Sequence, residues 1–267
     1  MIQLSSFGMP TLIELKMLKD CATLCRESGL AFIELNMNMP QYQTDMLDVG
    51  QLLDIAEKYG IYYTIHLDEN LNPCDFNNLV AAAYTETVLR TIDVAKQLSV
   101  PVLNMHLAEG VYFTLPDRKA FLFDEYEHEY LQKLAAFRDR CEIAIGDADI
   151  RICIENCNGY NRAPFLLDGL NLLLRSPAFA LTFDIGHNAG VNFSDESIII
   201  ERIEKLYHLH IHDAIGRNNH LPLGDGELDL LKHLELMNAN NCRAVLEVKT
   251  IEGLRRSVAW VRERGFL

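Results

Sequence analysis

Residues 208–217 read HLHIHDAIGR, and the first five decide the fold. Histidines and branched apolar residues alternate strictly through His208, Leu209, His210, Ile211 and His212. A period of two belongs to a β-strand, whose successive side chains point to opposite faces. Leu209 and Ile211 make an apolar face, while the three histidines share the other. Imidazoles on a strand face are costly to bury alone, so partners must arrive from other segments.

Those partners lie in a repeat that runs through the whole chain. The sequence predicts further strands over Ile2–Phe7, Phe32–Met37, Tyr62–Leu67, Val102–Leu107, Arg151–Asn156, Leu181–Ile185 and Ala244–Lys249, with the histidine strand spanning His208–Asp213. Helical periodicity is expected over Leu12–Glu27, Met46–Tyr59, Leu79–Leu98, Glu125–Ile145, Pro164–Leu174, Asp195–Leu206, Leu228–Met237 and Ile251–Arg264. Strict alternation of strand and helix implies βαβ units and a parallel sheet. Eight such units in 267 residues predict an α/β fold closed as a (β/α)8 TIM barrel, one domain over residues 1–267. An open doubly wound sheet would place a glycine-rich phosphate loop after an early strand, and the sequence has none. Asp45 and Ser194 are placed to cap helices, Pro164 to open one, and Gly29, Gly60 and Gly265 to close them.

Composition narrows the function classes. Hydrophobic residues make up 49% and charged residues 23%, enough for a large core and too apolar for a disordered chain. The net charge of −14 speaks against nucleic acid and anionic membranes as partners. A basic group at Arg255, Arg256, Arg262 and Arg264 reads as the solvated face of the last helix. The first residues, MIQLSSFGMP, do not read as a signal peptide, and seven cysteines at irregular spacing suggest reduced thiols, so a cytoplasmic protein is expected. No apolar run is long enough to span a membrane. Oligomeric state is not legible, and a homo-oligomer is compatible with the sequence.

Seven of the eight strands carry an ionisable side chain near the same end. They are Glu34, His66, His106, Glu155, Asp184 (with His187 after it), the histidine run with Asp213, and Glu247 with Lys249. Barrel interiors are normally layered with branched apolar residues, and an inward carboxylate costs several kcal/mol unless it is paired or bound to a cation. That end of the strands is where TIM-barrel active sites lie. Mixed carboxylates and imidazoles suit Zn, Mn, Fe or Co better than Mg or Ca alone. His208 lies deeper along its strand and reads as structural, His212 and Asp213 as partners of ligands, and His128 and His233 as solvated helix residues.

These pieces resemble the xylose isomerase-like TIM-barrel superfamily, which holds sugar and sugar-phosphate isomerases and epimerases and the endonuclease IV group. The resemblance covers nearly the whole chain. It rests on IEN at Glu155, FDIGH from Asp184 to His187, HLHIHDAIGR from His208, HLPLGDGELD from His220 and LEVKT at Glu247. In the epimerase branch one metal is held by two glutamates, an aspartate and a histidine, which the motifs place at Glu155, Asp184, His210 and Glu247. The same two glutamates exchange protons with a ketose there, through an enediolate. The resemblance also implies substrate contacts from His187 and Arg217. His66, His106, Glu34 and Lys249 are further candidates for substrate contact.

The endonuclease IV group binds three zinc ions. His66, His106, His187 and His220, with the four residues above, match eight of its nine ligands, whereas the position of the ninth, an aspartate, is Asn218 here. The expected function is thus a divalent-metal-dependent isomerase or epimerase of a sugar or sugar phosphate, with Zn or Mn ahead of Mg, Co or Fe. A zinc phosphodiesterase acting on abasic DNA and a non-catalytic sugar-binding barrel are the alternatives. Ala108–Lys119 and Glu69–Asn78 are the expected lids.

Overall fold

A computed structural model describes residues 7–267. Eight parallel strands close into a barrel: β1 (Phe7–Pro10), β2 (Phe32–Asn36), β3 (Tyr62–His66), β4 (Val102–His106), β5 (Arg151–Glu155), β6 (Phe179–Asp184), β7 (Leu206–Ile211) and β8 (Arg243–Leu246). Neighbours follow chain order, and β1 closes the ring against β8 through Phe7 opposite Ala244. The expected strand Ile2–Phe7 lies outside the described residues except for Phe7.

Helices wrap the outside, and their ends follow local chemistry. Asp48, not Asp45, caps the helix Val49–Tyr59 by accepting from the Gln51 amide, and Gly60 ends it at φ 63°. Only a residue without a Cβ adopts that left-handed conformation at little cost. Asn77, Asp229 and Thr250 cap Asn78–Leu98, Leu230–Ala239 and Ile251–Glu263 in the same way. Ser194 is the first residue of its helix rather than the cap, which falls to Phe193 in a left-handed conformation. The first helix begins at Leu18 instead of Leu12, because residues 12–17 form a turn at the rim.

Strand alternation sorts the side chains into two populations. Ile33, Leu35, Ile65, Leu103, Ile154, Phe183, Leu209 and Leu246 point outward into the main apolar cluster beneath the helices. Val102, Cys153 and Ala180 face the bore at its N-terminal end and pack with Tyr207. A shift in the β6–β7 pairing, with Leu181 opposite Leu206 but Thr182 opposite His208, makes Tyr207 the extra residue. The loop after β4 is a hairpin of Tyr112–Thr114 with Lys119–Phe121, and the loop after β7 is a second one, Asp213–Ile215 with Asn218–Leu221. Among the described residues no helix is long and apolar enough to cross a membrane.

Candidate metal centre

The strands deliver their polar residues to one end of the bore. Register sets His106 opposite Glu155, Glu155 opposite Thr182, Asp184 opposite His210, and His210 opposite Val245, two residues before Glu247. One ligand atom from each of Glu155, Asp184, His210 and Glu247 lies within 4.8 Å of the others, and all four residues are buried. Three further trios meet the same criterion among the described residues: His66–His106–Glu155 and His212–His220–Glu247 around them, and the fully buried Glu34–His208–His210 on the far side of His210.

Glu155 is the hub. Its Oε2 accepts from the Asn104 amide and lies 3.1 Å from His106 Nε2 and 3.5 Å from His66 Nε2. Its Oε1 lies 3.1 Å from His187 Nδ1. His66 uses its other nitrogen on the Leu67 carbonyl at 2.8 Å, which leaves Nε2 to face the hub. Glu247 faces the bore from the opposite quarter. Lys249 Nζ donates to its Oε1 at 2.7 Å, and His210 Nδ1 stands 3.2 Å from its Oε2.

Asp184 does two jobs at once. Its Oδ1 caps the short helix Ile185–Gly190 by accepting from the His187 amide at 2.6 Å. Its Oδ2 meets His212 Nε2 at 3.1 Å. His212 Nδ1 accepts from the His220 amide at 2.8 Å, so its proton belongs on Nε2 and is donated to Asp184. His220 reaches that amide position only by taking φ 55°, a strained value for a residue with a Cβ. Gly186 is required beside it, since a Cβ there would collide with the His212 ring.

Burial and charge pull these groups in opposite directions. In the metal-free protein, burial alone would raise the pKa of Glu155, Asp184 and Glu247. The surrounding cations, His210 foremost for both glutamates and His187 for Asp184, outweigh it and hold all three carboxyls below their usual range. Burial would push His66 and His187 down, but the facing carboxylates carry both up to about 9. His210 is raised further by Glu155, Glu247 and Glu34 against the same burial cost. His220 goes the other way, to about 4, because burial wins there. Protons thus sit on imidazoles where a cation could replace them.

The donor geometry fits a metal. His210 Nδ1, His187 Nδ1 and Glu247 Oε2 are buried without a hydrogen-bond partner, although carboxylate oxygens lie within 3.1–3.4 Å of the His187 nitrogen. Atoms that approach so closely without hydrogen-bond alignment converge on a point between them rather than on one another. A mixed set of three carboxylates and one imidazole suits Mn, Zn, Fe or Co.

The remaining expected residues divide by position. Arg217 is exposed on the second hairpin and lines a cavity of about 230 Å³ together with His187, Cys157 and Arg162. Lys249 is half exposed and anchored on Glu247. Glu34 is only 2% exposed and sits behind His210, where Thr64 and His208 also reach it. Asn218 is exposed on the hairpin. Asp213 accepts from the Ala214, Gly224 and Leu228 amides and so organises the loop that carries His220. His233, expected to be solvated, is buried and bonded to the Asp229 carbonyl, with its ring against Phe183. His128 is exposed as expected.

Sequence reasoning places Asn104 on one face with His106 but gives it no role, and it passes over Arg162. Asn104 shares the inward face of β4 with His106, so alternation contained the signal. Arg162 pairs with Glu109 at 2.9 Å across two loops, which no sequence period encodes. A cavity of about 630 Å³ at the opposite end, lined by Tyr62, Lys96 and Arg243 among others, holds no comparable cluster among the described residues.

Comparisons with known proteins agree with this architecture. The profile of the family described as xylose isomerase-like TIM barrel matches residues 22–264. No curated protein matches the sequence. Among solved structures, a D-tagatose 3-epimerase-like protein superposes with a TM-score of 0.77 at 21% identity, covering 97% of this chain and 96% of its own. The 3-keto-D-glucoside 4-epimerase of E. coli gives 0.75 at 14% identity, with 97% and 99% covered. The D-allulose 3-epimerase of Methylomonas sp., solved with D-allulose, gives 0.70 at 15% identity, with 97% of both chains covered. At these identities the likeness is one of fold.

Proposed function

The chain belongs to the xylose isomerase-like TIM barrel family, and from that premise we propose that it is a divalent-metal-dependent isomerase or epimerase of a sugar or sugar derivative. The observation that carries the reading is the convergence of Glu155, Asp184, His210 and Glu247 on one point at the mouth of the bore. Epimerases of tagatose-like, allulose and 3-keto-glucoside type among the similar structures support the substrate class.

Glu155, Asp184, His210 and Glu247 would hold the metal, which when bound polarises the carbonyl of a ketose. The residues of the chain supply the rest. One of the two glutamates takes the proton from the carbon beside the carbonyl, and the other delivers one from its own side. Delivery to the same carbon inverts it and gives an epimer. Delivery to the former carbonyl carbon, with the neighbouring hydroxyl's proton passing to the former carbonyl oxygen, gives an aldose–ketose isomerisation. Lys249 holds Glu247 in place through Oε1. Asn104 and His106 hold Glu155 in place through Oε2. His187 and Arg217, which line one cavity, contact substrate hydroxyls.

The test is incubation of the metal-loaded protein with a panel of ketoses in D2O. Deuterium should enter carbon beside the carbonyl of one of them, and Glu155→Gln should stop it. Binding without any exchange across the panel contradicts the reading and supports a sugar-binding barrel. A second reading, phosphodiester hydrolysis with several zinc ions, draws on the two outer trios. It requires more than one metal per chain, and Asn218 stands where one further carboxylate would be needed.

A further inference from the structure

The proposed metal site leaves Glu34, a buried carboxylate that faces one of its ligands, without a task. Glu34 is buried on β2, among Thr64, His208 and His210. Its Oε2 is already satisfied twice, by the Thr64 hydroxyl at 2.9 Å and by His208 Nε2 at 3.1 Å. Its Oε1 lies 3.0 Å from His210 Nε2, its one ion-pair partner among the described residues. The other nitrogen of His210, Nδ1, faces Glu247, Glu155 and Asp184 at 3.2, 3.5 and 3.9 Å. Each His210 nitrogen therefore faces acidic oxygens, one set toward the mouth and a single one behind.

We propose that Glu34 is the positioning residue of the metal centre: it holds His210 from behind through Nε2, so that Nδ1 is the nitrogen presented to the cation. This rests on the reading of Glu155, Asp184, His210 and Glu247 as a metal site. A neutral imidazole has one N–H and one lone pair, and the partner of the N–H settles which nitrogen is free to ligate. Glu34 is that partner, and a charged acceptor also makes the ligating nitrogen more basic. Thr64 and His208 lock the carboxylate in turn, since a Glu34 with only one neighbour could rotate away from His210. The approach of Nε2 to Oε1 is close but not collinear, which is an ion-pair contact rather than an aligned hydrogen bond. Glu34 is 2% exposed and does not line the cavity beside His187, and among the four candidate ligands its ion pair is with His210.

The experiment is titration of the metal-stripped full chain with Co2+, followed by both affinity and visible absorption. Wild type should bind with a defined spectrum. Glu34→Gln keeps the shape and removes the charge, and should bind about 10–100-fold more weakly with a shifted spectrum. Thr64→Val keeps the carboxylate and frees one of its anchors, and should lose affinity severalfold. Wild-type affinity and spectrum in Glu34→Gln overturn the positioning role while leaving the metal site standing. Should Glu34→Gln fail to fold, Thr64→Val decides: a severalfold loss supports the role, and an unchanged affinity overturns it. Absence of Co2+ binding by wild type overturns the metal reading itself, and the role of Glu34 with it.

Discussion

Val102, Cys153 and Ala180 close the N-terminal end of the bore with Tyr207. Two residues further along the same strands, Asn104, Glu155 and Thr182 face the same axis, and two further still come His106 and Asp184. One end is an apolar plug, and the other carries acids and imidazoles on identical backbone. The plug contributes stability by taking apolar surface out of water. The mouth costs stability unless its charges compensate one another or a cation compensates them. The same scaffold therefore separates folding from chemistry by about two residues of strand, and substitutions at the two ends should separate in the same way.

The largest effects belong to the mouth. Glu155→Gln and Glu247→Gln should each lower kcat by roughly 10²–10⁴-fold, with little loss of Tm, because each removes a group proposed to transfer protons and also a buried charge. Turnover within a few-fold of wild type in either variant removes that glutamate from proton transfer. At the other end, Val102→Ala should cost ~2 kcal/mol of stability through lost burial and a small cavity, while kcat stays near wild type. A large fall in kcat there, with the fold intact, breaks the separation of the two ends.

The amount of this that could be read from the sequence follows the same division. Alternation in HLHIH and the regular spacing of strands gave the barrel, and seven predicted strands match within three residues at either end. The strand-end residues were visible because a strand that buries a Glu, Asp or His where a Val is expected stands out. Features made by contacts between distant segments were not visible. His233 reads as a surface helix residue, but its ring packs against Phe183, a contact between segments far apart in sequence. Asp48 displaced Asp45 as a helix cap because the chain turns at residues 43–47 before the helix starts. The pairing of Glu34 with His210 joins β2 to β7, far apart in sequence and close only in a closed barrel.

Two smaller effects sharpen the contrast. In the metal-free protein His66 and His187 sit near 9, against about 6.5 in the unfolded chain. A raised imidazole pKa stabilises the fold fully below about pH 6.5, and that gain is lost as the pH rises through 9. The Tm of metal-free protein should therefore fall by several degrees between pH 6.5 and 9. A flat Tm across that window contradicts the ion pairs around Glu155. Smallest of all, Arg217→Gln should raise KM by about tenfold with kcat little changed, since the guanidinium is exposed and outside the ligand cluster. A loss confined to kcat would place Arg217 on the reacting atoms instead.

The central claim is that the acids and histidines of the mouth are built around a divalent cation. Elemental analysis of the purified chain, before and after Asp184→Asn, tests it most directly. The account predicts about one divalent metal ion per wild-type chain and a large loss of it in the variant. A wild-type chain that carries no divalent metal, and takes up none when Mn2+, Zn2+ or Co2+ is supplied, would contradict it.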